Sequence, residues 1–186
     1  MKKRYLFLLV TLSVFAFSKA QSNFGFGFRV SQAVMQKITS ANDNNAFFAT
    51  DYTAFIQYRS VGFFGGITAL NNYKTAVITD GQHIECLNAG LFFKLGELHK
   101  NASLSLNLYN VHFFSAIYFQ TINFIGVNPQ YRYSFLNNTV ALEAGVSLSL
   151  IHDNFTYINS YLRPAIGANL SLSFNIVPLF AKKPTQ

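Results

Sequence analysis

Residues 140–150 read VALEAGVSLSL, and residues 166–176 read IGANLSLSFNI. In both stretches every even position is apolar, and the odd positions between them are small or polar. Such strict alternation predicts β-strands, because successive side chains of a strand point to opposite faces of the sheet. The two stretches therefore predict strands with one apolar face and one face of mostly small, neutral residues.

The composition favours a membrane protein built from such strands. The 186 residues are enough for one domain, and they are 51% hydrophobic and only 11% charged. Soluble surfaces usually carry roughly 25–35% charged residues, so this chain has too few to cover a soluble globule. No apolar run of about 18 residues follows residue 20, which excludes a transmembrane helix there. A transmembrane β-barrel is the membrane architecture that remains.

Residues 1–20 have the pattern of a secretory signal peptide. A basic start at residues 2–4 precedes an apolar stretch at 6–17, and Ser18-Lys19-Ala20 matches a cleavage site. We therefore expect residues 21–186 to form the mature barrel domain, exported to the outer membrane. Loss of the four cations of the leader lowers the formal charge from +7 to +3. The remaining basic residues are scattered and give no support to nucleic-acid binding.

Alternation predicts eight strands, which form an antiparallel up-and-down barrel. Their approximate bounds are 23–32, 46–58, 61–70, 84–95, 102–112, 127–136, 139–151 and 164–177. Short connections at 59–60, 96–101 and 137–138 alternate with long ones at 33–45, 71–83, 113–126 and 152–163. This pattern is typical of outer-membrane barrels with both termini in the periplasm and the long loops outside.

The two shortest turns predict strand register. A two-residue turn at 137–138 places Arg132 opposite Glu143, and a turn at 59–60 places Asp51 opposite Thr68. Both hairpins keep apolar residues beside apolar ones.

The apolar face is expected to point outward into lipid. Eight strands with about five large apolar residues each would supply roughly forty side chains, too many for a lumen that is only just filled. The opposite interpretation is a soluble periplasmic barrel that holds a hydrophobic ligand.

Five charged residues fall on the polar, inward face. An isolated buried charge is costly, so we expect these charges to pair and plug the lumen. A proton or ion path is the alternative, and an open diffusion pore is less compatible with paired charges. The five residues are Arg29, Asp51, Lys94, Arg132 and Glu143.

A resemblance to a known family rests on three features: the alternating strands, the leader ending in Ser18-Lys19-Ala20-Gln21, and the opening Phe-Gly-Phe-Gly-Phe at 24–28. The chain resembles small eight-stranded outer-membrane barrels, which include OmpX-like proteins and the PorT-like barrels of Bacteroidota. This resemblance implies contact with outer-membrane lipid and insertion by the outer-membrane assembly machinery. Such barrels typically end on an aromatic residue, whereas Phe180 is followed by six more residues. We expect no cofactor and no metal.

On this basis we expect a non-enzymatic role: displaying surface loops or supporting an envelope complex. Segment 113–126 is unusually apolar for a loop and is either an extension of the strands or a surface for an envelope protein partner. The residues assigned to that surface are Phe113, Phe114, Tyr118, Phe119 and Phe124.

The alternative is an enzyme that hydrolyses or transfers acyl chains of outer-membrane lipid. Such chemistry needs a hydroxyl nucleophile, a histidine base and a group that orients the histidine. His112 with Ser115, or His152 with Asp153, supplies part of that set.

Overall fold

The structure is a computed structural model, and it describes residues 24–38, 46–74, 82–115, 120–136, 138–155 and 158–176. The predicted signal peptide at 1–20 lies outside the described residues. Within the described ranges no helix is long and apolar enough to cross a membrane.

Eight antiparallel strands close into one barrel, as the alternation predicted. Each strand pairs with the next one along the chain, and β1 pairs with β8 to close the sheet. The strands are β1 (Phe24–Lys37), β2 (Ala46–Tyr58), β3 (Val61–Tyr73), β4 (Gln82–His99), β5 (Ala102–Ser115), β6 (Gln120–Phe135), β7 (Val140–Phe155) and β8 (Ile158–Asn175).

The predicted register of both tight hairpins is confirmed. Arg132 lies opposite Glu143 across β6 and β7, and Asp51 lies opposite Thr68 across β2 and β3. At the β6–β7 turn, Leu136 has a φ of 50° and Asn138 a φ of 65°. Left-handed backbone at these two positions reverses the chain, so the alternating faces stay matched on both strands.

One end of the barrel, here called the long-connection end, carries the β1–β2, β3–β4, β5–β6 and β7–β8 connections. The strands extend further toward this end than predicted. β6 begins at Gln120 instead of residue 127, and β8 begins at Ile158 instead of residue 164. The predicted loops at 113–126 and 152–163 are therefore mostly strand. The physical reason is that inward positions such as Ile122 and Phe124 are apolar there, which removes the contrast between the two faces.

The apolar face of the strands points outward, as predicted. On β7, Leu142, Leu148 and Leu150 are 43–45% exposed, whereas the intervening Glu143 and Ser147 are buried. Large outward residues on all eight strands, Phe28, Tyr52, Phe63, Leu87, Leu108, Tyr131, Leu148 and Leu170 among them, repeat this exposure.

The interior has two apolar clusters at different heights. Phe55, Phe64 and Phe92 pack together in the half of the barrel nearer the tight turns. A larger cluster fills the long-connection end and consists of Ala33, Met35, Phe47, Leu70, Tyr73, Ile84, Cys86, Val111, Ile122, Phe124, Ile151 and Ala165. The polar side chains of the lumen lie mainly between this cluster and the tight turns.

Because Gly90 on β4 has no side chain, the Phe64 ring can occupy the space beside it. A Cβ at Gly90 would lie 2.4 Å from Cζ of Phe64 and 2.2 Å from the carbonyl oxygen of Leu108. We expect Gly90→Ala to destabilise the barrel by roughly 1–3 kcal/mol, because overpacking forces side chains and backbone to shift. Urea titration of the folded form, followed by gel mobility, measures this change.

Gly96→Ala is the matched control, because nothing lies within 4 Å of a Cβ built at Gly96. Equal urea midpoints for the two alanine variants would contradict the described packing around Phe64.

Candidate functional site

Arg29, Arg132 and Glu143 meet inside the barrel from three different strands. Nη1 of Arg132 lies 3.2 Å from Oε1 of Glu143, and Nη1 of Arg29 lies 3.8 Å from Oε2. Ser173 donates a hydrogen bond of 2.7 Å to the same carboxylate. The Arg29 guanidinium also lies 4.4 Å from the centroid of the Phe64 ring. One buried carboxylate thus links strands β1, β6, β7 and β8.

Asp51 is inside the barrel, but it is held by neutral donors instead of a cation. Ser31 and Thr68 donate hydrogen bonds of 2.7 and 2.5 Å to its two oxygens. Asn88 donates a third, of 3.1 Å. The assignment of Asp51 to an ion pair is therefore corrected: the hydroxyl and amide groups of its neighbours stabilise the carboxylate.

Lys94 does not join the charges of the lumen, and this assignment is also corrected. Its Nζ lies 2.5 Å from Oε1 of Glu97 at the turn end of β4, and its side chain is 35% exposed. The register of β4 against β5 shifts between Lys94 and Gly96, a bulge that brings residues three apart together. The hydrogen bond and charge of Lys94 lower the pKa of Glu97.

A second buried charge pair, which the sequence did not reveal, lies at the long-connection end. Lys37 Nζ is 3.7 Å from Oδ2 of Asp153, and Tyr73 donates a hydrogen bond of 2.8 Å to Oδ1. The ammonium also lies 3.7 Å from the centroid of the Tyr73 ring and donates to the carbonyl of Lys74. Lys37 lies on the same inward face of β1 as Arg29. The predicted strand ends at residue 32, so the alternation pattern does not include Lys37.

The proposed aromatic docking surface is not assembled as predicted. Phe124 is 3% exposed and packs inside the barrel, with its ring centroid 5.8 Å from that of Phe47. Phe113 is partly buried against the same cluster, and Phe114 belongs to β5. Tyr118 and Phe119 lie outside the described residues. Phe124 is thus a core residue, because β6 extends through the segment taken for a loop.

Among the described side chains, His112, His152 and Asp153 are not brought together as a catalytic set. His152 and Asp153 are neighbours on β7, so their side chains point to opposite faces, and Asp153 is buried against Tyr73. His112 faces outward and shares a hydrogen bond with Asn123 on β6. Ser115 is the last residue of β5, three positions after His112.

A cavity of about 50 Å³ lies in the middle of the lumen, beside Asp51. Five buried polar atoms that lack a protein partner belong to residues lining this cavity: Nε of Arg29, Oδ1 of Asn88, Asn128 and Asn169, and Oγ of Ser171. A buried water needs roughly 10–15 Å³ of such volume and two to four polar partners. The cavity therefore has the size and polarity for about three to five waters.

Comparison with solved structures gives the same architecture. The chain is similar to Neisserial surface protein A, with a TM-score of 0.58 and 17% sequence identity over 81% of this chain and 97% of that one. At this identity the likeness establishes the fold: a closed antiparallel barrel of eight strands. No protein-family model matches the chain, and no curated protein matches it.

Removing the Glu143 carboxylate tests its role in the lumen. Glu143→Ala leaves Arg29 and Arg132 without their shared partner, and breaking a buried pair typically costs about 3–5 kcal/mol. We expect a smaller loss, about 2–4 kcal/mol, because both arginines keep some contact with solvent. Urea titration of the refolded barrel measures the difference.

Glu97→Ala serves as the control, since Glu97 pairs with Lys94 at an exposed position. A Glu143→Ala variant that unfolds at the same urea concentration as Glu97→Ala would show that the inward carboxylate contributes no stability.

The polar cavity predicts ordered water in an experimental structure. A crystal structure at high resolution is expected to show waters within hydrogen-bond distance of Asn128, Asn169 and Ser171, because these atoms are otherwise unpaired. Clear density with no solvent at these three groups would contradict the prediction.

Proposed function

We propose that the protein is a non-enzymatic integral outer-membrane barrel whose lumen is closed. The observation that carries this proposal is the outward apolar face of the closed barrel. Leu87, Phe63 and Leu170 are more than half exposed on its outer wall, and lipid is the environment in which such a surface is stable. A soluble barrel with a hydrophobic ligand would instead direct these side chains inward.

The height of the apolar face is consistent with a bilayer. On β7 the outward apolar positions run from Val140 to Leu150, a length of about 33 Å at roughly 3.3 Å per residue. A strand tilted by about 45° then covers about 23 Å along the barrel axis, close to the apolar band of about 25 Å in such proteins. Outward polar residues, such as His112 and Asn123, follow at the long-connection end.

The contents of the lumen support a structural role in preference to a pore. The ion pairs of Glu143 and the apolar cluster around Phe47 and Phe124 occupy successive heights of the barrel. An eight-stranded lumen has only just enough room for its side chains, so filling at successive heights in the part of the barrel that the structure describes supports a closed lumen.

The topology supports one orientation of the barrel in the membrane. The connections at 59–60, 100–101 and 136–139 share one end of the barrel with the start of β1 and the end of β8. The opposite end has short connections at 116–119 and 156–157 and the two longest ones, 38–45 and 74–81. The longer loops of outer-membrane barrels face the outside, so the connections at 38–45 and 74–81 would be displayed there. We propose that they form the surface that meets other molecules, an envelope protein partner included. We also propose that the outer-membrane assembly machinery inserts the barrel into the membrane.

Cell fractionation combined with gel mobility tests the location and the fold together. We expect the protein in the outer-membrane fraction, with an unboiled form that migrates faster than the boiled form, because a closed barrel stays compact in detergent. Recovery as a soluble monomer without detergent would overturn the proposal.

A charge placed on the outer wall tests contact with lipid. Val146 lies near the middle of the apolar positions of β7 and is 45% exposed. Val146→Arg should destabilise the barrel in lipid vesicles by about 2–4 kcal/mol, the usual cost of arginine near the bilayer midplane. Urea titration in vesicles measures this loss.

Leu98→Arg is the control, because Leu98 is also exposed but lies at the turn end of β4. Its expected cost is about 0–1 kcal/mol, as found near the membrane interface. Equal losses for the two arginine variants would contradict a lipid-facing Val146.

A further inference from the structure

We propose that the turn end of the barrel is a binding site for a small anion that carries two or more phosphate or carboxylate groups. A cavity of about 490 Å³, here called the vestibule, opens at this end beside the connections at 59–60 and 100–101 and beside Asn138. Its charged wall residues are Arg59, Lys94, Glu97, Lys100 and Arg132.

The charges of the vestibule are unbalanced. Glu97 is its one acidic residue among the described wall positions, and it already pairs with Lys94 at 2.5 Å. Arg132 shares the Glu143 carboxylate with Arg29, so two guanidinium groups are offset by one negative charge. Within the described part of the chain, neither Arg59 nor Lys100 forms an ion pair. The wall therefore carries an excess of positive charge.

Neutral hydrogen-bond donors line the same cavity as these cations. Ser60 lies in the β2–β3 turn beside Arg59, and Ser103 and Ser134 line the wall from β5 and β6. Hydroxyl donors next to guanidinium and ammonium groups are the set that phosphate and carboxylate oxygens accept from most strongly.

The shape of the vestibule suits a small ligand that binds there and does not permeate through the barrel. Phe92 lies in its wall, and Arg132 extends from it to the Glu143 pair, which lies deeper in the lumen. The volume falls within the range of about 300–1,000 Å³ that is usual for small-molecule sites. An anion can enter from the turn end and meet charged donors without crossing the barrel.

The charges of the segment that follows β8 do not favour that segment as an occupant of the vestibule. Residues 177–186, which follow the end of β8 at the same mouth, contain Lys182 and Lys183 and no Asp or Glu. Their side-chain charge has the same sign as the wall, so electrostatics favours an anion from solution. Under the proposed orientation that solution is the periplasm, but binding itself does not depend on the orientation.

Isothermal titration of the folded protein in neutral detergent tests the proposal, with pyrophosphate and citrate as separate probes. We expect saturable binding of at least one probe that weakens as NaCl is raised, because exposed charges are screened by salt. Binding of pyrophosphate alone identifies phosphate as the preferred group, and binding of citrate alone identifies carboxylate.

The double variant Arg59→Gln/Lys100→Gln should bind about fivefold to twentyfold more weakly, since two exposed cations are lost. Lys74→Gln is the matched control, because Lys74 lies at the opposite end of the barrel, and it should bind like the unmodified protein. If the double variant does not refold, Lys100→Gln alone replaces it, with an expected loss of about threefold.

Absence of saturable binding by both probes would overturn the proposal. Equal affinity of the Lys100 variants and Lys74→Gln would also overturn it, because the vestibule would then not be the site. Neither result bears on the location of the barrel, which fractionation tests separately.

Discussion

The alternation of apolar and polar residues along paired strands is the constraint on which the whole structure depends. On β7 and β8 it directs leucines outward and serines, glycines and asparagines inward for more than ten residues. A slip of one residue would reverse both faces at once, so the hydrophobic pattern fixes the register. The register in turn brings Arg132 opposite Glu143 and closes β1 onto β8.

Once the large side chains are outside, the lumen must be filled by small residues, compensated charges and a few aromatic rings. The structure combines all three at different heights. The Glu143 pairs and the Phe64 cluster lie nearer the tight turns, the polar cavity beside Asp51 lies above them, and the cluster around Phe47 fills the long-connection end. A buried charge pair stabilises little by itself, but removing one partner is costly, which makes such pairs strong constraints on register.

The sequence predicted the fold well where the two faces differ in polarity. The bounds of β2 and both tight hairpins follow from that contrast. It failed where inward positions are apolar, as at Ile122 and Phe124, because alternation then disappears. The pairing of Lys37 with Asp153 is not predicted for the same reason: these residues lie beyond the predicted ends of their strands, at residues 32 and 151. The partners of Asp51 depend on which residues of the neighbouring strands lie at the same height in the barrel. The partner of Lys94 depends on a bulge in β4. Alternation alone predicts neither.

The central claim is that the outer wall of the barrel contacts lipid acyl chains. The most direct measurement is fluorescence quenching of a label attached at Val146→Cys in a Cys86→Ser background, since Cys86 is the only native thiol. In vesicles of lipids brominated on their acyl chains, the account predicts strong quenching of this label and little quenching by aqueous iodide. Strong quenching by iodide with no effect of the brominated lipid would contradict the account.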